Sequence, residues 1–255
     1  MGLAYCDGSE VALSAGLDDR FAGTPLRPDA LIPSVSPALC GLAPDKTSSR
    51  LAGEQGSVTK PWTTVAMLQM VDQGRVELTT PAYTVVDPGL QKLGPVPGKQ
   101  LTMSALWGHN PQMSRITIAD LMGHSSGIHE YPGSLEYNAL AGNEYGPLEL
   151  IDMTDKSLLC SEVPCQKSYS SINYVLLGLA MVHLTGATTW MDWDQLSVIP
   201  QNRRASYNAT TFLKMGTCAE YGRVAHQYAN YLTAHPEKNE YMWYDISDRS
   251  CLNGW

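Results

Sequence analysis

The sequence predicts an α+β fold on two observations. Its first sixteen residues pattern as short strands, and its strongest periodic segments, near 58–73 and 174–186, pattern as helices. At 255 residues the chain is long enough to bury a sizeable core. We read it as one domain over 1–255, with an insertion at about 34–55.

Taken in order, Gly2 to Gly16 reads as two strands around Asp7-Gly8, a dipeptide suited to a tight hairpin turn. Val11, Leu13 and Ala15 alternate with Ala12, Ser14 and Gly16. Residues 17–56 are rich in Pro, Ser, Gly and Asp and read as a long loop. A helix is expected over Val58–Gln73, with Ala66, Met67, Met70 and Val71 facing inward and Gly74 as its C-cap. Residues 79–114 are Pro- and Gly-rich and read as irregular. A short helix begins in Ile116–Met122 and stops before Ser125-Ser126-Gly127, and Pro147–Asp152 suggests another. Tyr174–Gly186 is apolar nearly all round, the pattern of a deeply buried helix. Phe212–Leu232 reads as a further helix, interrupted near Gly216.

Composition narrows the function. A formal charge of −8 argues against nucleic acid or an anionic membrane as partner. No window is apolar for long enough to suggest a transmembrane helix. Met1 to Cys6 lacks the basic and apolar regions of a signal peptide and reads as the middle of a strand. Six cysteines permit full pairing. Cys160 with Cys165, around a proline-containing loop, and Cys218 with Cys251 are candidate pairs. With the sequon Asn208-Ala209-Thr210 they suggest a secreted or secretory-pathway protein; buried free thiols are the alternative. No cysteine or histidine spacing suggests a metal, and no cofactor motif is present.

The chemistry centres on Gly56-Ser57-Val58-Thr59-Lys60. A serine hydroxyl needs a base beside it to act as a nucleophile. Residues three apart share a helix face, so Lys60 can reach Ser57. With 21 serines and 8 lysines, chance supplies roughly one such pair. On their own, the four residues read more readily as a serine N-cap before a solvated lysine.

Three blocks in order alter that balance. The first runs from Gly56-Ser57-Val58-Thr59-Lys60 through Leu68-Gln69-Met70-Val71-Asp72-Gln73-Gly74. The second is Ile116-Thr117-Ile118-Ala119-Asp120-Leu121-Met122-Gly123-His124-Ser125-Ser126-Gly127. The third is Tyr169-Ser170-Ser171-Ile172-Asn173-Tyr174-Val175-Leu176-Leu177-Gly178. Together they resemble the serine β-lactamase-related family, nearest the branch of class C β-lactamases, D-alanyl-D-alanine carboxypeptidases and related esterases. The resemblance covers about residues 3–186.

The resemblance implies a β-lactamase/transpeptidase-like fold, with an antiparallel sheet flanked by helices. It implies a covalent acyl-enzyme at Ser57, with Lys60 and Tyr169 managing the protons. The substrate would be an ester, small amide, β-lactam or D-amino-acid peptide. His124 and Asn173 match structural positions of the family. Ser171 stands where the family has a substrate-binding side-chain amide. No Lys-Thr-Gly or His-x-Gly motif with the family's strand context follows Tyr169, so the C-terminal sheet strands are expected to be missing and the chain truncated. These departures keep a second reading in play, a catalytically inactive binding or scaffold protein on the same fold. The expected partner is a small-molecule or peptide substrate, and the sequence gives no oligomeric state.

Overall fold

The computed structural model describes residues 59–131, 146–207 and 212, and the backbone of 2–4, 10–12, 17–19, 24–25, 228–232 and 241–245. The chain divides into two compact units. One comprises residues 1–56, 138–144 and 200–254, and the other residues 57–137, 145–199 and Trp255.

The strands belong to the first unit, as three antiparallel pairs among the described residues. β1 (Gly2–Ala4) pairs with β2 (Glu10–Ala12), setting Leu3 opposite Val11, as the Asp7-Gly8 signal predicts. β3 (Leu17–Asp19) pairs with β4 (Thr24–Pro25), so the start of the long loop expected over 17–56 holds two short strands. β5 (Tyr228–Leu232) pairs with β6 (Tyr241–Asp245). This corrects the helix expected to run through Leu232. Its last five residues carry two tyrosines and form a strand, the state aromatic side chains favour. The insertion at about 34–55, Cys218, Cys251 and the Asn208 sequon lie outside the described residues.

The second unit is organised on a single helix. α6 (Ile172–Leu184) buries every residue except His183, which accounts for its all-round apolar sequence. α1 (Thr59–Asp72) packs on it and buries Thr59, Lys60, Thr63, Ala66 and Met67, a stripe at helical spacing. Met70 and Val71, expected inside, are only partly buried. α1 ends as predicted at Gly74, whose φ of 68° allows the Arg75 amide to reach back to the Met70 carbonyl at 3.0 Å.

The stretch 79–114 is more regular than its composition suggests. It contains α2 (Tyr83–Gln91), α3 (Met103–Leu106) and a 3-10 turn at Pro111–Ser114. Pro88 and Gly89 look like helix breakers, yet both lie inside α2. The glycine has a packing reason. A Cβ there would stand 2.0 Å from the Leu179 carbonyl oxygen, so α2 and α6 meet backbone to backbone. α4 (Ile118–Met122) and α5 (Pro147–Met153) complete the packing around α6. Among the described residues no helix is long and apolar enough to cross a membrane.

Gly89→Ala therefore forces two helices apart. We expect a loss of about 3 kcal/mol or more, at the severe end for one added methyl, read as a lowered midpoint in urea unfolding.

Candidate active site

The second block begins as a capped helix. Thr117 Oγ1 accepts the Asp120 amide at 3.2 Å, and Asp120 Oδ2 accepts the Thr117 amide at 2.9 Å. Asp120 Oδ1 then accepts the Ser125 hydroxyl at 2.9 Å, which draws the chain back after α4. His124 makes that turn with φ of 57°, in the left-handed region.

From His124 onward this strand-like segment is laced to the residues that precede α6. The His124 carbonyl accepts the Ser168 amide at 2.9 Å, and the Ser125 carbonyl accepts the Cys165 amide at 2.7 Å. The Gly127 carbonyl accepts the Leu159 amide at 2.9 Å. Ser170 donates its hydroxyl to the His129 carbonyl at 3.0 Å, and Glu130 Oε2 accepts the Ser171 amide at 2.7 Å. The expected disulfide Cys160–Cys165 closes the outer loop of this pair. Gly127 must be a glycine here. Its φ is 76°, and a Cβ would lie 2.3 Å from the Cys165 sulfur.

Beneath the lacing, Ser126 and Asn173 form a buried polar pair. The Ser126 hydroxyl donates to Asn173 Oδ1 at 2.6 Å and accepts the Ile128 amide at 3.1 Å. Both residues are essentially inaccessible to water. The structural role implied for Asn173 thus has a physical form. It ties the helix start to the second block.

Against this frame stand three of the predicted site residues. Lys60, in the first turn of α1, is 8% exposed. Its Nζ donates to Ser171 Oγ at 3.3 Å and lies 5.0 Å from the centre of the Tyr169 ring. The Tyr174 ring is 5.6 Å away on another side. Tyr169 itself is 53% exposed. Ser57 lies outside the described residues, two positions before α1 begins.

Three further residues belong to the site. The Tyr174 hydroxyl donates to the Met122 carbonyl at 3.2 Å and meets Thr64 Oγ1 at 3.0 Å, joining α1, α4 and α6 beside the lysine. Glu130 pins the Ser171 backbone. His124 stacks on Tyr169, with ring centroids 4.8 Å apart. Burial holds His124 below the ordinary histidine value. The Lys60 charge acts the same way, and Glu130 acts against it. Glu130 had only its position after Ser126-Gly127 to mark it, and Tyr174 only its place in the third block. Among the described residues no group of His, Cys, Asp and Glu is arranged to hold a metal.

The family model for beta-lactamases matches residues 53–195, more than half of the chain and all three blocks. The chain belongs to the beta-lactamase family. The D-amino acid amidase of Ochrobactrum anthropi SV3 is similar in fold, with a TM-score of 0.56 at 17% identity over 94% of this chain and 56% of that one. An octameric penicillin-binding protein homologue from Pyrococcus abyssi gives 0.55 at 18% identity, over 94% and 44% of the two chains. A penicillin binding protein from Bacillus halodurans gives 0.51 at 15% identity, over 92% and 56%. The chain spans about half the length of these structures.

Asn173→Ala strands the buried Ser126 hydroxyl and removes a donor beside His124. We expect a loss of about 1–3 kcal/mol, measured by thermal unfolding, with Ser126→Ala in the same background recovering part of it.

Proposed function

We propose that this chain carries a serine acyl-transfer site working on small esters, amides or D-amino-acid peptides. The observation that carries the proposal is the buried Lys60 side-chain nitrogen, held between Ser171 Oγ and the Tyr169 ring, three residues after Ser57. Residues of the distant third block converge on the lysine of the Ser-x-x-Lys motif.

In this reading Ser57 Oγ attacks the substrate carbonyl carbon. Its proton passes to Lys60 and Tyr169, and from them to the leaving oxygen or nitrogen as that bond breaks. An ester of Ser57 remains, and water, losing its proton to the same pair, hydrolyses it to regenerate the hydroxyl. Ser171 holds Lys60 and faces the acyl group. A protein with a disulfide at Cys160–Cys165 fits an oxidising compartment, which supports a secretory setting.

The second reading is a binding protein on the same fold, favoured by a serine at 171 in place of an amide. Intact-protein mass after brief exposure to p-nitrophenyl acetate, or to a penicillin, separates the two. We expect an acyl adduct on wild type, none on Ser57→Ala, and a loss of about 10²–10⁴ in acylation rate for Lys60→Met. Ligand retention without any adduct would establish the binding reading instead. The variant Ser171→Asn carries a donor and an acceptor one bond farther from the backbone than the serine hydroxyl. It should raise amide relative to ester turnover by about tenfold, the worth of one good hydrogen bond. An unchanged ratio would remove Ser171 from substrate contact.

A further inference from the structure

Two N–H donors converge on one nitrogen of His124. The Ser170 amide lies 3.2 Å from Nδ1, and the Asn173 side-chain nitrogen lies 3.3 Å from it. The Asn173 orientation is set from its other end, where the oxygen accepts the Ser126 hydroxyl. The amide nitrogen facing His124 can only donate. Nδ1 is therefore a bare lone pair, and the neutral ring carries its proton on Nε2.

The same ring stacks on Tyr169 and tilts against Tyr174 at 5.3 Å between centroids. It thus touches the phenol on one side while accepting the amide of the very next residue. We propose that His124 is a positioning residue for the acyl-transfer site: its neutral imidazole holds Tyr169 over Lys60, and a proton on Nδ1 releases that hold. The inference rests on the acyl-transfer reading given above.

Protonation sets a third N–H against the two donors, and Ser170 loses its acceptor beside Tyr169. The titratable groups around the ring among the described residues are Lys60 on α1, Glu130 in the following loop, Tyr169, and Tyr174 on α6. Lys60 opposes a second cation and Glu130 favours one, while burial outweighs both. The site is therefore intact above the ordinary histidine value of about 6.5 and is lost as pH falls through the lower value of the folded protein.

The test is a pH–rate profile with p-nitrophenyl acetate on wild type and His124→Asn. Asparagine accepts the left-handed backbone and offers an oxygen to Ser170, but it neither titrates nor stacks. We expect kcat lower by about tenfold with KM and burst amplitude unchanged, and the fall in kcat on the acid side flattened. An acid limb identical to wild type overturns the proposal, as does a variant changed only in burst amplitude and thermal midpoint. A wild type with no Ser57-dependent burst defeats the acyl-transfer reading alone. The positioning is then read without turnover, as it is if His124→Asn does not fold. A tyrosine difference spectrum that follows histidine titration in wild type and is absent from Tyr169→Phe supports it. A spectrum the same in both overturns it.

Discussion

The arrangement depends on one constraint, the lacing of residues 124–130 to residues 159–171. Six hydrogen bonds to main-chain or side-chain acceptors cross this seam, one each from Leu159, Cys165, Ser168 and Ser171 and two from Ser170. None joins Tyr169 directly to Lys60, yet together they set where Tyr169 and Ser171 stand. A site assembled from loops keeps its geometry only when its supporting shell is rigid. Here the shell is a ladder closed at one end by a disulfide and at the other by the start of a buried helix.

That helix explains why the seam can bear on α1 at all. α6 is so completely buried that its first turn cannot move without disturbing α1, α2 and α4 together. Gly89 lets α2 approach the α6 backbone, and the Tyr174 hydroxyl bridges the other two helices. The lysine sits on the α1 face that meets this core. Its side-chain nitrogen is thus positioned by packing, while the ring and hydroxyl that meet it are positioned by hydrogen bonding.

Much of this was legible in the sequence where the signal is local. α1, α4, α5 and α6 carry periodicity or capping residues within their own length, and each lies within two residues of its expected bounds. α2 was not legible. Pro88 and Gly89 read as breakers in isolation, and only contact with Leu179 shows why the glycine is there. Tyr228–Leu232 was misread because its pairing partner, β6, lies beyond a local window. In the site, the approach of Tyr169 to Lys60 was implied by the family resemblance, whereas the Lys60–Ser171 hydrogen bond was not expected. Glu130 and Tyr174 were missed because their contacts span 41 and 110 residues, and such contacts leave no spacing to read.

The exchange of an amide for Ser171 fits this geometry in a particular way. A hydroxyl accepting from Lys60 still has its own proton to donate, so the position can both accept and donate as an amide does. The difference is reach. A serine oxygen stands on Cβ, one bond short of an amide nitrogen, and the Ser171 backbone is tied to Glu130. The hydroxyl is therefore held against Lys60. On the proposed chemistry, a small ester needs little from that donor, because its alkoxide leaves readily. A peptide or lactam needs its acyl side chain held while a poorer nitrogen leaving group takes a proton. On that proposal the serine would bias the site toward small acyl groups without disturbing Lys60 or Tyr169.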